Sequence, residues 1–154
     1  MTALMENGII VNHRIISIED QSQAQSYGYE AMQKFLASDQ KVDAVFCLND
    51  KVAQGVYQAI SEAGLRVSDD IGVAGYENTD ICEKLTPSVT SVAYKSLEIG
   101  SKAAEVLYEL INNKEKNLAN NKFYLFQPEL IMRDSCLGPK KAEVVSRKVE
   151  GVGC

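Results

Sequence analysis

Short apolar runs rich in β-branched residues alternate along this chain with longer stretches whose apolar positions recur every three or four residues. The first pattern is that of buried strands and the second that of helices with one apolar face. Strands that alternate with helices build right-handed βαβ crossovers, and these close into an open parallel sheet. Arg14 to Ile18 reads as the first strand. Ser22 or Ser26 can cap the helix that follows, with Tyr29, Met32, Phe35 and Leu36 on its inner side. Val42 to Leu48 is almost wholly apolar, which predicts a strand covered on both faces, with Cys47 as a small hydrophobe inside it.

Asp50 is the predicted N-cap of the next helix, and Val52, Val56, Ile60 and Ala63 form its inner stripe. Gly64 is placed to end that helix in the left-handed conformation, followed by the apolar Leu65. Ile71 to Tyr76 reads as a third strand and Val89 to Tyr94 as a fourth. Between them a short helical turn starts at Thr79 or Asp80 and stops by Pro87. Ser96 to Asn113 is the longest predicted helix, with Leu97, Gly100, Ala104, Leu107 and Ile111 on one stripe. Phe123 to Phe126 reads as an edge strand, Leu130 to Met132 as the last short strand, and residues 139–154 as a flexible charged tail. The predicted class is α/β, an open parallel sheet with helices on both faces.

A chain of 154 residues fits one domain, and its net charge of −5 suits neither a nucleic acid nor an anionic membrane. No apolar run approaches the ~20 residues of a membrane helix. The four cysteines form no CxxC pair and His13 is the lone histidine, so neither a zinc site nor a disulfide framework is expected. With no signal peptide in Met1 to Glu6, a reducing cytoplasm is the expected compartment. No metal and no cofactor is called for.

In open parallel sheets, ligands bind outside the carboxyl ends of the strands. Those ends carry Glu19-Asp20, Asn49-Asp50 and Glu77-Asn78, so acids and amides line one rim. Such groups donate to and accept from hydroxyls, which suits a neutral polyhydroxyl compound. A phosphorylated ligand is disfavoured, because Lys51 is the nearest cation. Gly72 to Gly75 falls within a strand and so makes no phosphate-binding loop. Asp50 and Glu77 could be paired for acid–base work, but no nucleophile with a positioned base accompanies them, and His13 belongs to the opposite rim. A binding module is expected, not an enzyme.

Four segments carry a more specific signal. Asp43 to Gly55 (DAVFCLNDKVAQG), Ala63 to Glu77 (AGLRVSDDIGVAGYE), Leu85 to Val92 (LTPSVTSV) and Pro128 to Cys136 (PELIMRDSC) occur in this order. Together they resemble the lactose/galactose repressor family of bacterial transcription factors, over roughly residues 8 to 136. The resemblance implies the effector-binding domain of that family, of periplasmic-binding-protein type, in which two α/β lobes close on a small molecule such as a sugar or nucleobase. It also implies that Asn49 and Glu77 reach into the cleft. Glu77 replaces the family's usual Asp, which moves the carboxylate by about a bond length. Gln23 falls where the family often stacks an aromatic on a sugar, and Tyr94 falls at another cleft position. Gln54 and Leu85 fall at places the family uses to dimerise, and Leu85 is expected in an exposed loop.

By the same resemblance, the helix-turn-helix, the hinge helix, most of the first lobe and the opening strand and helix of the second would precede Met1. DNA would be bound only through that missing amino-terminal part. Residues 1–138 would then be a partial effector domain, mostly second lobe, with helix 96–113 belonging to the first lobe and short of its packing partner. The leading expectation is the effector-binding and dimerising part of a sugar-responsive repressor. The alternatives are a fragment of an exported sugar-binding protein of a transporter, or the sensor of another cytoplasmic signalling regulator.

Overall fold

The computed structural model describes residues 5–8, 21–38, 40–112 and 123–138. The expected strand at 14–18, His13, the acids Glu19 and Asp20 and the tail from 139 lie outside the described residues. A 3₁₀ turn at Gln21–Gln23 leads into α1, Ala24–Leu36. Then come β1 (Ala44–Phe46), α2 (Asp50–Glu62), β2 (Gly72–Tyr76), the short α3 (Ile81–Lys84), β3 (Thr90–Ala93), α4 (Ser96–Asn112) and β4 (Glu129–Ile131). A 3₁₀ turn at Asp134–Cys136 closes the described chain. Neither predicted serine caps α1: its N-cap is Gln23, with no side-chain cap bond.

The four strands form one sheet in the order β1-β2-β3-β4. β1, β2 and β3 run parallel, with Val45 opposite Val73 and Tyr76 opposite Val92. β4 departs from the parallel expectation and pairs antiparallel with β3, Leu130 opposite Val92. It is held there by the 3₁₀ turn, where the buried Ser135 hydroxyl donates to Val73 O and accepts from Thr90 N–H (2.8 Å). Phe123 to Phe126 is not a strand. An apolar composition alone supplies no neighbouring ladder to pair with.

The core lies between the sheet and α2, with α1 packed on the outer side of α2. Val52, Ala53, Val56, Tyr57, Ala59 and Ile60 of α2 meet Cys47, Ile71, Val73 and Val89, all buried. Ala63, placed by periodicity on the inner stripe, is exposed because the helix has already ended. It ends in a Schellman motif: Gly64 adopts φ +72°, Leu65 N–H donates to Ile60 O (3.1 Å) and Gly64 N–H to Ser61 O (3.0 Å).

Among the described residues, β1 is covered on one face and not on both as its composition predicts. Val45 and Cys47 turn toward α2, whereas Phe46 and Leu48 on the other face are 66% and 53% exposed. No described element lies over that second face. α4 likewise buries none of its residues, and Leu97 is 82% and Ile111 71% exposed.

Candidate functional site

Because β1, β2 and β3 are parallel and adjacent, their carboxyl ends share one edge of the sheet. Asn49 follows β1, Glu77 follows β2 and Tyr94 follows β3, so the topology gathers these three on one rim. Asn49, and not the predicted Asp50, is the N-cap of α2: its Oδ1 accepts from Val52 N–H at 3.0 Å. Capping fixes which end of the amide is spent. The oxygen is engaged by the helix, and the Nδ2 group makes no hydrogen bond among the described residues.

Asp50, one residue on, is fully buried beneath the rim. Its Oδ2 accepts from Thr79 N–H (2.7 Å) and Thr79 Oγ1 (3.0 Å), and its Oδ1 accepts from Ser91 Oγ (2.7 Å). Three donors on a buried carboxylate satisfy it without a cation. Gly75 makes room for it, since a Cβ there would lie 2.3 Å from Asp50 Oδ1.

Glu77 and Asn78 both adopt left-handed backbone, φ +99° and +54°. That costs a glutamate energy and is held by the surroundings. Glu77 N–H donates to Val92 O (2.9 Å) and Asn78 N–H to Ser91 Oγ (3.1 Å). Glu77 offers a half-buried carboxylate, an acceptor to complement the donors of Asn49. Beside it, the rings of Tyr76 and Tyr94 stack with centroids 5.7 Å apart and planes 13° from parallel. Tyr76 escaped sequence reasoning, although an aromatic at a strand's carboxyl end was the signal. Ser91 and Thr79 escaped it too, since nothing local marks their partnership with Asp50.

Gln23 is exposed in the turn before α1, and no described hydrogen bond joins it to Asn49, Glu77 or Tyr94. Gln54 and Leu85 meet elsewhere, in a groove of about 520 Å³ formed with Tyr57, Leu65 and Pro87. Leu85 is not the exposed loop residue expected: it is half-buried and packs against the core. Tyr57 OH anchors its loop by donating to Pro87 O (2.9 Å).

The cysteines near the rim are structural. Burial pushes the Cys47 thiol up to about 12 and the Cys82 thiol up to about 11. No group of acidic, histidine or cysteine side chains suited to a metal occurs among the described residues, nor any helix long and apolar enough to cross a membrane.

The model of the periplasmic binding protein-like domain matches residues 2–136. A repressor from Pasteurella multocida, the HTH-type transcriptional repressor PurR, is 40% identical over 108 residues, which is 70% of this chain and 31% of the repressor. The chain thus spans about a third of the length of that curated relative. A LacI family transcriptional regulator from Enterococcus faecium with bound ribose superposes with a TM-score of 0.73 at 28% identity, over 91% of this chain and 49% of that one. The transcriptional regulator CelR in its cellobiose complex gives a TM-score of 0.75 at 25% identity, over 87% of this chain and 39% of that one. These relatives are regulators rather than enzymes. The open α/β sheet, the four ordered motifs and the match across nearly the whole described chain agree: the chain belongs to the periplasmic binding protein-like family, in the form carried by LacI-family regulators.

Proposed function

We propose that the chain is the effector-binding, carboxyl-terminal part of a LacI-type transcriptional repressor and that its effector is a small neutral polyhydroxyl compound, a sugar. The observation that carries this reading is the complementary pair on one rim, the Asn49 amide, whose oxygen is taken by Val52 N–H, and the half-buried Glu77 carboxylate as acceptor. A sugar hydroxyl donates and accepts at once and can satisfy both. Tyr94, stacked on Tyr76, offers a flat apolar face of the kind that covers the C–H side of a pyranose or furanose ring. Ribose and cellobiose, bound by two relatives, are compounds of this class.

Asp50 acts from beneath the rim. Gln23 stays at the margin of the site, in the place where an aromatic platform would stand. Residues 1–138 form mostly one lobe, with α4 reaching into the other, and the exposed stripe of α4 is covered there in the whole protein. Pairing of two copies uses Gln54 and Leu85, and DNA is bound by a segment outside this chain.

Calorimetric titration of the whole regulator with ribose and with cellobiose tests the reading. One of them should bind, and Glu77→Ala should abolish that binding without lowering the melting temperature. Undiminished binding by the variant would overturn the assignment.

A further inference from the structure

We infer that Asp50 is the positioning residue of the rim: it clamps the Glu77–Thr79 turn and so sets the direction in which Glu77 is offered to an effector. The inference rests on the reading of Glu77 as an effector contact. Three successive backbone N–H groups of this turn are each tied down. Glu77 N–H goes to Val92 O (2.9 Å), Asn78 N–H to Ser91 Oγ (3.1 Å) and Thr79 N–H to Asp50 Oδ2 (2.7 Å).

Two of those three anchors run through Asp50. It takes Thr79 directly, and it accepts the Ser91 hydroxyl proton at 2.7 Å, which turns the Ser91 lone pairs toward Asn78. Without these ties, residues at φ +99° and +54° would relax toward ordinary backbone and swing the Glu77 carboxylate off the rim. Full burial of Asp50 keeps water from competing for the same donors. Gly75 is the companion requirement, because any side chain there would occupy the place of the carboxylate. Asp50 touches no effector in this scheme. It presents the residue that does.

Amide hydrogen exchange on the 154-residue chain tests the clamp with no ligand present, so its outcome is independent of whether Glu77 binds a sugar. Asp50→Ala and Ser91→Ala are each expected to speed exchange at Asn78 by tenfold or more, and Asp50→Ala also at Thr79. Val56 and Ile60, in the core of α2, should stay as slow as before. Asp50→Asn should restore slow exchange at Thr79, since an amide oxygen still accepts from its N–H.

Unchanged exchange at Asn78 and Thr79 in both alanine variants would overturn the inference. So would uniform acceleration that includes Val56 and Ile60, which marks Asp50 as a stability residue only. If Asp50→Ala does not fold, Ser91→Ala and Asp50→Asn decide. A selective effect of Ser91→Ala at Asn78, with Thr79 slow in Asp50→Asn, supports the clamp, and any other pattern refutes it. Loss of sugar binding by Glu77→Ala with the clamp absent would separate the two readings cleanly.

Discussion

Gly55→Ala is expected to destabilise the chain, although alanine is the better helix former. Gly55 lies where α2 crosses α1, and an ideal Cβ on it would come 1.9 Å from Gln25 O and 2.7 Å from Tyr29 N. Across the same crossing, a Cβ on Gly28 would meet Val52 O at 2.3 Å. Ordinary contact begins at about 3.4 Å, so the helices would have to part by about 1.5 Å. The obstructing atoms are backbone and cannot rotate aside as a side chain would. Overpacking of a well-packed contact costs roughly 1–3 kcal/mol, and this case belongs at the upper end. The gain in helix propensity is roughly 1 kcal/mol. The net loss is therefore about 2 kcal/mol, or about 4–8 °C in Tm for a chain of this size. Gly100 provides the control, since it lies within α4 with nothing within 4 Å of its Cβ position. Gly100→Ala should stabilise by roughly 0.5–1 kcal/mol. Thermal melts followed by far-ultraviolet circular dichroism compare the two. A Gly55→Ala protein that melts at or above the parent would refute the close crossing.

Leu85→Glu in the whole regulator should sediment as a monomer, and an unchanged dimer would remove Leu85 from the interface. Its half-burial means that the melting temperature must be followed alongside. In the folded chain at pH 8, Cys47 and Cys82 should resist alkylation while half-exposed Cys136 reacts, as peptide mapping would show. Stability should also fall as the solution becomes alkaline. The thiols of Cys47 and Cys82 are raised to about 12 and about 11 from 9.0, so their contribution is complete below pH 9 and is lost as pH climbs toward those values. Denaturant melts between neutral and alkaline pH check the sign. The isolated chain should bind ribose or cellobiose more weakly than the whole regulator does, because a two-walled cleft buries more of its ligand than one rim can.

The order of the described elements from α1 to α4 is legible because each depends on local chemistry. Gly64 and Leu65 end α2 through N–H bonds to carbonyls three and five residues back respectively, and the α2 stripe follows from helical period. The choice between Asn49 and Asp50 as cap was not local. Both side chains can cap, and Asp50 is drawn away by Thr79 and Ser91, which lie 29 and 41 residues further on. The exposure of one face of β1 is not legible for a related reason. Apolar residues show that a face favours cover, while whether an element lies over it depends on the rest of the fold. The Gly28–Gly55 crossing left no trace in either segment alone, since each glycine is required by the other helix. On the proposed rim, strand ends and residue type single out Asn49, Glu77 and Tyr94; the cap bond from Val52 to Asn49 is local, whereas the Asp50 and Ser91 contacts that hold the Glu77 turn are distant in sequence.

On the proposed reading, a sugar is held at the carboxyl-terminal edge of the sheet, between the amide of Asn49 and the carboxylate of Glu77. Chemical-shift mapping on the isotopically labelled chain decides this, because it registers weak binding residue by residue. Ribose and cellobiose would be titrated separately. The expected result is a set of shifts confined to Asn49, Tyr76 to Thr79 and Tyr94 with at least one of the two sugars, absent in Glu77→Ala. Shifts centred on the groove of Gln54 and Leu85, or no shift with either sugar, would contradict it.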